Sequence, residues 1–449
     1  HRDLHLSLRR HRHMCISYRT NNPQGKLNKS DLKRKYTEFL AGGSLGNLKD
    51  YEPIISRGLG SKVWDLKGNK YIDYLLGSGP MLIGHSNSNV ISAIKKQLDL
   101  GFTFFAGNEQ VILLAEEIVN AVKCAESVRF CSTGTEATLY AMRIARAFKN
   151  KDKILKFEGG FHGMNDYALM SMNPIDPKPF PLASSDSAGI PKSIESEILI
   201  APFNNLSVTS DIVEKHKDEL AGVIVEPFQR SIPPLPGFLE GLRKITKSYD
   251  IPLIFDETVT GFRFAYGGAQ EYYDVTPDLC TVGKAVSGGF PLTAVCGRLD
   301  MMSHFDYIES PGNRFVPQIG TLNGNPIAAV AGLATLNELK KPGVYNRIFE
   351  TGNKIMKSLV ELFEAAKIPA KVTGVGALFD IYFTDEEIID YRSTLTANKS
   401  KMVDFNKKLL QNGVLKGNSK FYISSAHEND DIRDTIKALE ETIESIKSN

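Results

Sequence analysis

The sequence has little that would tie it to a membrane, to nucleic acid or to an oxidising compartment. No apolar run approaches the roughly 20 residues that span a bilayer. The net charge of the 449 residues is only +2, which gives no electrostatic reason to expect nucleic acid as a partner. Five scattered cysteines, an odd number without a CxxC pair, indicate reduced thiols. We therefore expect a cytoplasmic protein that binds small molecules and contacts neither membranes nor nucleic acid.

The chain also lacks the two common nucleotide-binding signatures. No GxGxxG follows a strand-like apolar run, and no GxxxxGK[ST] occurs. Both motifs place backbone N–H groups around phosphates, so their absence makes a dinucleotide or nucleotide enzyme less expected.

The first thirteen residues, HRDLHLSLRRHRH, hold four Arg and four His but no methionine. They contain no apolar core of a secretory signal. Their Arg-rich character fits an organelle transit peptide only weakly, and a remnant of upstream sequence fits better. We expect this stretch to be poorly ordered and leave it out of the fold prediction.

Apolar strand-like runs alternate with amphipathic helical segments from about residue 88 onward. The runs are SVRFC, KILKF, EILIAPF, AGVIVEP, IPLIFDE and LCTVG. A helix is predicted from about Thr135 to Lys149, and another at 210–219. This alternation is typical of an α/β domain whose mostly parallel sheet is buried on both faces.

The flanking parts differ from this centre. Residues 61–75 alternate around a Lys-Gly-Asn turn and predict a hairpin. A strand is predicted at 377–383 and a final helix at about 428–447. We predict a smaller α+β lobe packed with the N-terminal hairpin region. The predicted divisions are 1–35 (an N-terminal extension), 36–87 (part of the small lobe), 88–339 (the large domain) and 340–449 (the C-terminal small domain).

Ligands of open α/β sheets bind at the carboxyl ends of the strands, so the residues at those ends are the candidates. Thr133, Gly134 and Thr135 follow the first run where a helix begins, and a helix start with free N–H groups suits a phosphate. An ordinary helix cap explains the same residues. Phe161 and His162 follow a Gly pair after the next run. An aromatic there suits stacking on a planar ring, although loop Phe residues more often cover the core.

Two charged residues end later runs. Asp256 follows Ile251–Phe255, where a partly desolvated carboxylate needs a cationic partner. Lys284 follows Leu279–Val282, where burial can lower its pKa and let its amine form a Schiff base. Thr321 lies in a second Gly/Thr turn. Together these residues predict a site for a phosphorylated, cationic, planar aldehyde, which is pyridoxal 5′-phosphate (PLP).

The order and wording of these motifs resemble the fold-type I, class III aminotransferases, and among them the glutamate-1-semialdehyde 2,1-aminomutases. The best stretches are VRFCSTGTEAT, ILKFEGGFHG, IFDETVTGFRFAYGGAQEYYDVTPDL, VGKAVSGGFP and GTLNGNPIAAVAG. The resemblance implies a large domain with a mostly parallel seven-stranded sheet plus a smaller α+β lobe. It also implies a homodimer that processes a small-molecule amino donor and a carbonyl acceptor.

The same resemblance implies roles for single residues. Lys284 would hold PLP as an internal aldimine and move the proton, and Asp256 would pair with the pyridinium nitrogen. The remaining cofactor-binding residues would be the phosphate loop Thr133, Gly134 and Thr135, the stacking Phe161 with His162, the strand-end Glu226 and Gln229, Thr258, and Thr321 from the neighbouring subunit.

Several positions depart from the aminomutase pattern. Thr258 replaces a valine that packs on the ring, and Ser78 replaces a pocket tryptophan. Residues 42–53 carry no arginine, and 416–427 is a shortened segment. Because the PLP residues are kept while substrate residues differ, an aminotransferase with another substrate is favoured. The aminomutase, a PLP racemase or decarboxylase, and a binding protein without chemistry are the alternatives.

The substrate-binding residues are less defined. Arg57, Arg230 and Arg314 are candidates for a carboxylate clamp, although most arginines are surface residues. Segment 173–192, rich in Pro and Ser, is placed like a gating loop and fits a passive surface loop equally well. No metal ligand set with suitable spacing is found.

Overall fold

A computed structural model describes residues 29–43, 53–418 and 420–447. The described residues fall into two compact units, one of 29–43, 53–56 and 65–69 and the other of the remainder. The predictions about residues 1–13 and about most of 42–53 lie outside the described residues. All residues of the candidate site belong to the larger unit.

The helices and strands have the following bounds. The α-helices are α1 Lys29–Phe39, α2 Ser88–Leu100, α3 Glu109–Ala121, α4 Gly134–Lys149, α5 Leu206–His216, α6 Phe238–Ser248, α7 Ala269–Tyr272, α8 Leu299–Met302, α9 Pro326–Leu339, α10 Val344–Ala366, α11 Tyr391–Thr394, α12 Lys399–Gln411 and α13 Asn429–Lys447. The strands are β1 Ile55–Leu59, β2 Lys62–Asp65, β3 Lys70–Asp73, β4 Ser127–Cys131, β5 Lys153–Phe157, β6 Ile198–Ala201, β7 Leu220–Val225, β8 Leu253–Glu257, β9 Leu279–Val282, β10 Thr293–Gly297, β11 Lys371–Val375, β12 Leu378–Tyr382, β13 Val414–Leu415 and β14 Phe421–Tyr422.

The central sheet has seven strands in the order β4-β10-β9-β8-β7-β5-β6. The neighbours from β9 to β6 are parallel, and β10 is antiparallel to both β4 and β9. The mostly parallel sheet is therefore confirmed. Strand β10 was missed because only a short 3-10 turn, and no crossover helix, separates it from β9.

The sheet is buried on both faces. Every residue of β6, β7, β8, β9 and β10 is buried. Ile224 packs in one core cluster, while its neighbours Val223 and Val225 pack in the other. This explains why these strands are near-continuous apolar runs rather than alternating ones.

Helix boundaries follow local capping. Helix α4 begins beside Thr133, whose side chain accepts from Glu136 N while the Glu136 side chain accepts from the Thr133 N–H. Helix α5 begins at Leu206, four residues earlier than expected, because Asn205 accepts a hydrogen bond from Val208 N and so supplies the cap.

The C-terminal part forms its own sheet and also joins the hairpin. Strands β11, β12 and β14 make a three-stranded antiparallel sheet. Strand β3 pairs antiparallel with β2 and parallel with β13, with Ile72 opposite Val414. The predicted hairpin and its association with the C-terminal part are confirmed, whereas the predicted domain divisions stay predictions. No helix among the described residues is both long and apolar enough to cross a membrane.

Candidate active site

The register between β8 and β9 brings the two charged candidates to one edge of the sheet. Asp256 lies opposite Thr281, and Lys284 follows three residues later. Asp256 shares its face of β8 with Ile254, which packs in the core cluster that includes Ala137 and Ala141 of α4. Asp256 therefore faces the helix whose start was predicted to bind phosphate.

The buried Asp256 carboxylate receives four hydrogen bonds. His162 Nδ1 lies 2.9 Å from Oδ2. Oδ1 accepts from Thr258 Oγ1 at 2.7 Å, Thr258 N at 3.1 Å and Thr281 Oγ1 at 2.8 Å. Burial alone raises the pKa of Asp256, but these hydrogen bonds outweigh it and leave the pKa below its usual value. Asp256 is thus a carboxylate anion, and no Lys or Arg among the described residues forms an ion pair with it.

The neighbouring Glu257 has a different use. It points to the opposite side of β8, where it accepts hydrogen bonds from Thr260 Oγ1, from Gln270 Nε2 and from the N–H groups that begin α7. Burial raises the pKa of Glu257. The two-residue period of a strand thus separates a structural carboxyl group from the one that faces the site.

His162 and Gln229 leave polar atoms unused at the site. His162 Nε2 and Gln229 Oε1 are buried without a hydrogen-bond partner among the described residues. Gln229 Nε2 donates to the Glu158 carbonyl oxygen at 2.8 Å, and the His162 carbonyl oxygen accepts from Thr138 Oγ1 at 2.5 Å. Such unsatisfied buried groups in an ordered loop are unusual and suit a site that completes its hydrogen bonds with a ligand.

Lys284 opens the short turn Lys284–Ser287 in a left-handed conformation, with φ +48°. This conformation is uncommon outside glycine. Burial lowers the pKa of Lys284, with further lowering by Lys420 and Arg263 and opposing contributions from Tyr422 and Asp256. Because no hydrogen bond or ion pair to the Lys284 ammonium occurs within the described ranges, its amine is available for chemistry.

The start of α4 offers two free N–H groups. Glu136 Oε2 accepts from Ser132 N and Thr133 N, both at 2.9 Å. Within the described part of the chain, the N–H groups of Gly134 and Thr135 keep no acceptor. A phosphate would meet these groups and the positive end of the helix.

Phe161 lies between charged groups at the adjacent strand ends. Phe161 is 39% exposed as a residue, and the Arg230 Cζ lies 4.9 Å from its ring centroid. Phe161 N donates to Glu226 Oε2 at 3.2 Å. Phe161 therefore retains an open ring face, as a stacking role requires.

Three residues that the sequence interpretation missed lie near Lys284. Arg263 is fully buried, donates to the carbonyl oxygens of Gly79 and Ile423, and has its pKa lowered to about 10 by burial. Burial lowers the pKa of Lys420 to about 8. The Arg263 Cζ and Lys420 Nζ lie 5.0 Å and 5.9 Å from the Tyr422 ring centroid. The residues next to Lys420 in the sequence do not predict that it is buried. Its position near Lys284 depends on the C-terminal sheet, in which the adjacent strand β14 pairs with β12.

A second buried lysine shows the structural alternative. Burial lowers the pKa of Lys156 to about 7, yet its ammonium donates to the carbonyl oxygens of Ala168 and Met170 at 2.7 and 2.6 Å. Lys156 therefore holds the segment that contains Ala168 and Met170, whereas Lys284 has no such acceptor among the described residues.

The remaining candidates are less central. Arg57 stacks on Trp64, with Cζ 4.0 Å from the ring centroid, and Arg314 is exposed. Thr321 is exposed in the turn before α9, which is tied to the phosphate loop by Ser132 Oγ donating to Asn323 Oδ1 at 2.9 Å. Ser78 is exposed. Of the three arginine candidates, the structure brings Arg230 beside a site residue.

Segment 173–192 is held by the small helix α11. Tyr391 Oη donates to the Pro174 carbonyl oxygen at 2.8 Å, and Arg392 Nη2 donates to the Lys178 carbonyl oxygen at 2.7 Å. Arg392 also pairs with Glu158, with Nε 2.7 Å from Oε2. These contacts connect the predicted gating loop to the C-terminal part of the chain, and gating itself stays a prediction.

Comparison with known proteins decides the family. A model of the aminotransferase class-III family matches residues 47–443. The chain belongs to the class-III aminotransferase family. It is therefore a PLP-dependent transaminase or aminomutase with the fold-type I architecture.

Individual class-III relatives cover nearly the whole chain. A glutamate-1-semialdehyde 2,1-aminomutase of Methanocaldococcus jannaschii is 38% identical over 432 residues, covering 94% of this chain and 99% of the relative. The solved omega-transaminase from Sphaerobacter thermophilus has a TM-score of 0.88 and 31% identity, covering 96% and 99% of the two chains. A transaminase solved with PLP bound has a TM-score of 0.85 and 26% identity, covering 93% and 97%.

The site of this class-III chain fits the chemistry of PLP. In the part of the chain that the structure describes, the ionised Asp256 has no Lys or Arg partner, which suits a protonated ring nitrogen, and the Lys284 amine has no hydrogen-bond partner, which suits an aldehyde. The free N–H groups of α4 suit the phosphate. Among the described residues no group of three or more His, Cys, Asp or Glu side chains is arranged to hold a metal ion.

Proposed function

We propose that this class-III enzyme transfers an amino group from an amino acid to a carbonyl acceptor, with Lys284 as nucleophile and base. The observation that carries the proposal is the pairing of β8 with β9. This pairing brings the ionised Asp256 and Lys284, whose ammonium has no partner among the described residues, to the same edge of the sheet. A carboxylate for a cationic ring and an amine for an aldehyde are the two groups that PLP chemistry needs.

The residues that would hold PLP lie at the carboxyl ends of β4, β5, β7, β8 and β9, and Lys284 is the one that follows β9. Thr133, Gly134 and Thr135 would bind the phosphate, and Asp256, oriented by His162, would hold the ring nitrogen protonated. The ring would be flanked by Phe161 and Thr258, with Glu226 and Gln229 at the adjoining strand end. When bound, PLP supplies an electron sink that stabilises negative charge on the substrate carbon.

Lys284 would act twice. Its lowered pKa raises the fraction of neutral amine, the form that attacks a carbonyl carbon. As a free amine, Lys284 would accept the proton from the substrate carbon and would donate it again later in the transfer. Burial of the site excludes bulk water from this transfer.

Cationic side chains favour an amino acid over a simple amine. Arg230 and Arg263 lie close enough to the buried Lys420 to lower its pKa, while the carboxylates of Glu226 and Asp380 act in the opposite direction. Asp380 is already paired with Lys416, with Nζ 2.9 Å from Oδ1. The excess positive charge would be neutralised by a substrate carboxylate, which Lys420 would bind directly.

A glutamate-1-semialdehyde aminomutase is the second candidate, favoured by the names of the relatives at 36–38% identity. An aminomutase keeps the intermediate bound and returns the amino group to the same molecule. The exposed Ser78, at the position of a pocket tryptophan in that family pattern, favours the intermolecular reaction instead. A smaller side chain at this position would leave more room for one substrate to exchange for another.

The partner of the chain would be a second copy of itself. Exposed apolar side chains cluster around the Thr321 turn, including Phe102, Phe105, Ile112, Ile319 and Leu322. Asn325 Nδ2 donates to the Phe102 carbonyl oxygen at 2.6 Å, and Asn108 Nδ2 donates to that of Gly324 at 3.1 Å. These bonds join the two segments into one apolar surface, which supports burial against a second subunit with Thr321 inside the interface.

The proposed compartment is cytoplasmic. Cys124, Cys131, Cys280 and Cys296 are all free and buried, which supports a reducing environment.

The test is a single-turnover experiment with PLP-loaded protein and a panel of amino acids without an acceptor. An aminotransferase releases about one equivalent of carbonyl product per site and leaves the cofactor in its amine form. An aminomutase releases no carbonyl product from its substrate. Absence of any spectral change with every donor, in protein that binds PLP, would reject the aminotransferase.

A further inference from the structure

Thr258 makes two kinds of contact at the proposed site. Its hydroxyl oxygen lies 2.7 Å from Asp256 Oδ1 and 3.2 Å from Thr281 Oγ1. Its methyl carbon lies between two glycines, since a Cβ added at Gly134 would be 3.2 Å from it and one at Gly283 would be 3.1 Å away. The side chain therefore touches the carboxylate on one side and packs between the α4 start and the Lys284 turn on the other.

The hydroxyl contact acts on the charge of Asp256. The titratable groups that act on this carboxylate are His162, in direct contact, and Lys284 on the adjacent turn. Thr258 and Thr281 add uncharged donors on Oδ1. A buried carboxylate stays ionised only while such donors compensate for the water it has lost. The loss of one donor therefore raises the pKa of Asp256.

The methyl contact acts on spacing. Gly134 begins the helix proposed to bind phosphate, and Gly283 precedes Lys284. A methyl group packed between them fixes the distance between the phosphate end and the amine end of the site. A valine would keep this contact and lose the hydroxyl, whereas a serine would keep the hydroxyl and lose the methyl.

We propose that Thr258 is a positioning residue whose hydroxyl holds Asp256 ionised and correctly oriented, while its methyl group sets the spacing between the α4 start and Lys284. This inference rests on the proposed function, because it concerns the ring nitrogen and phosphate of PLP. A valine, as in the family pattern, could provide only the methyl contact, because it has no hydroxyl group to donate to Asp256.

The first measurement needs no cofactor. The folded-state pKa of Asp256 is depressed, so its contribution to stability is present above the unfolded pKa and is lost as the pH falls through the folded pKa. In Thr258→Val the pKa of Asp256 in the folded state rises. When the urea midpoint of unfolding of the apoprotein is plotted against pH, the decrease on the acid side therefore moves to higher pH by about one unit. Thr258→Ser keeps the wild-type profile in this pH range. Thr209→Val is the matched control, because Thr209 is buried and donates to the Asn205 carbonyl oxygen outside the site.

The second measurement is the dissociation constant of PLP against pH. Thr258→Val weakens binding about tenfold at low pH and less at high pH, while Thr258→Ser weakens it at all pH values through loss of spacing. Identical acid profiles for wild type and Thr258→Val would overturn the hydroxyl role, and unchanged PLP binding in Thr258→Ser would overturn the methyl role. If the wild-type protein binds no PLP, the proposed function fails, and the apoprotein profile still decides the hydroxyl role.

Discussion

Asp256 and Thr281 lie opposite each other on β8 and β9, and Thr281 Oγ1 is 2.8 Å from Asp256 Oδ1. Because Lys284 follows Thr281 by three residues, this one pairing fixes the position of the carboxylate relative to the turn that carries the amine. Both partners face α4 rather than the opposite core. A shift of one residue in the register would exchange the two faces of β8. Glu257 would then face α4, and Asp256 would face the opposite core.

Replacing Lys284 by Ala removes the proposed nucleophile and base. We expect turnover to fall by roughly a thousandfold or more. We also expect the PLP-loaded protein to lose the visible absorption band that depends on this lysine. Lys357→Ala changes an exposed lysine on α10 and should leave both properties unchanged. A Lys284→Ala protein with wild-type turnover would contradict the assignment.

Asp256→Asn keeps the shape of the side chain and removes its charge. We expect kcat to fall about a hundredfold, because the ring nitrogen loses its anionic partner, and PLP to dissociate more readily. Asp274→Asn is the control, since Asp274 is exposed and pairs with Lys123 at the surface. Equal kcat values for Asp256→Asn and the wild type would show that ring protonation does not depend on Asp256.

Lys420 should make carboxylate binding depend on pH. Its pKa is lowered to about 8, and only the protonated ammonium attracts an anion. The affinity for a simple monocarboxylate inhibitor without an amine should therefore fall as the pH rises through about 8. Inhibition constants measured from acid to alkaline pH give the profile.

Two variants sharpen this test. Lys420→Arg keeps its charge over the whole range, because a guanidinium titrates far above it, and its profile should be flat. Lys420→Met should bind the inhibitor weakly at every pH. Tight, pH-independent inhibition of Lys420→Met would exclude Lys420 as the carboxylate ligand.

Mixing two inactive variants tests whether Thr321 acts across a dimer interface. In a dimer of Lys284→Ala with Thr321→Ala, one site would carry both changes and the other neither, provided that Thr321 serves the partner's site. Random exchange would then leave about a quarter of all sites intact, and activity should recover on mixing. No recovery, with exchange confirmed by native mass spectrometry, would place Thr321 in its own subunit's site. Wild-type activity of Thr321→Ala alone would place Thr321 outside any site.

Strand ends and their chemistry were predictable from the sequence. The apolar run before Asp256 and the one before Lys284 predict buried parallel strands, and parallel strands present their carboxyl ends at one edge. Helix α4 was predictable from its capping residues. In contrast, β10 was not predictable from the alternation of strands and helices, because no helix separates it from β9. The start of α5 was misplaced because it depends on the single capping residue Asn205.

The order of the candidate groups can be read along the chain: a helix start of the kind that binds phosphate, an aromatic, an Asp and a Lys, each at the end of an apolar run. These features are local, because they depend on residue type and on the period of the neighbouring strand or helix. Which of these groups come into contact depends on long-range packing. The alternation of side chains along β8 directs Asp256 rather than Glu257 toward α4. Among the described residues Lys156 has acceptors for its ammonium and Lys284 has none. The return of the C-terminal sheet brings Lys420 to the site. Such contacts join residues far apart in the chain, and their energies depend on burial and on partners that no local pattern specifies.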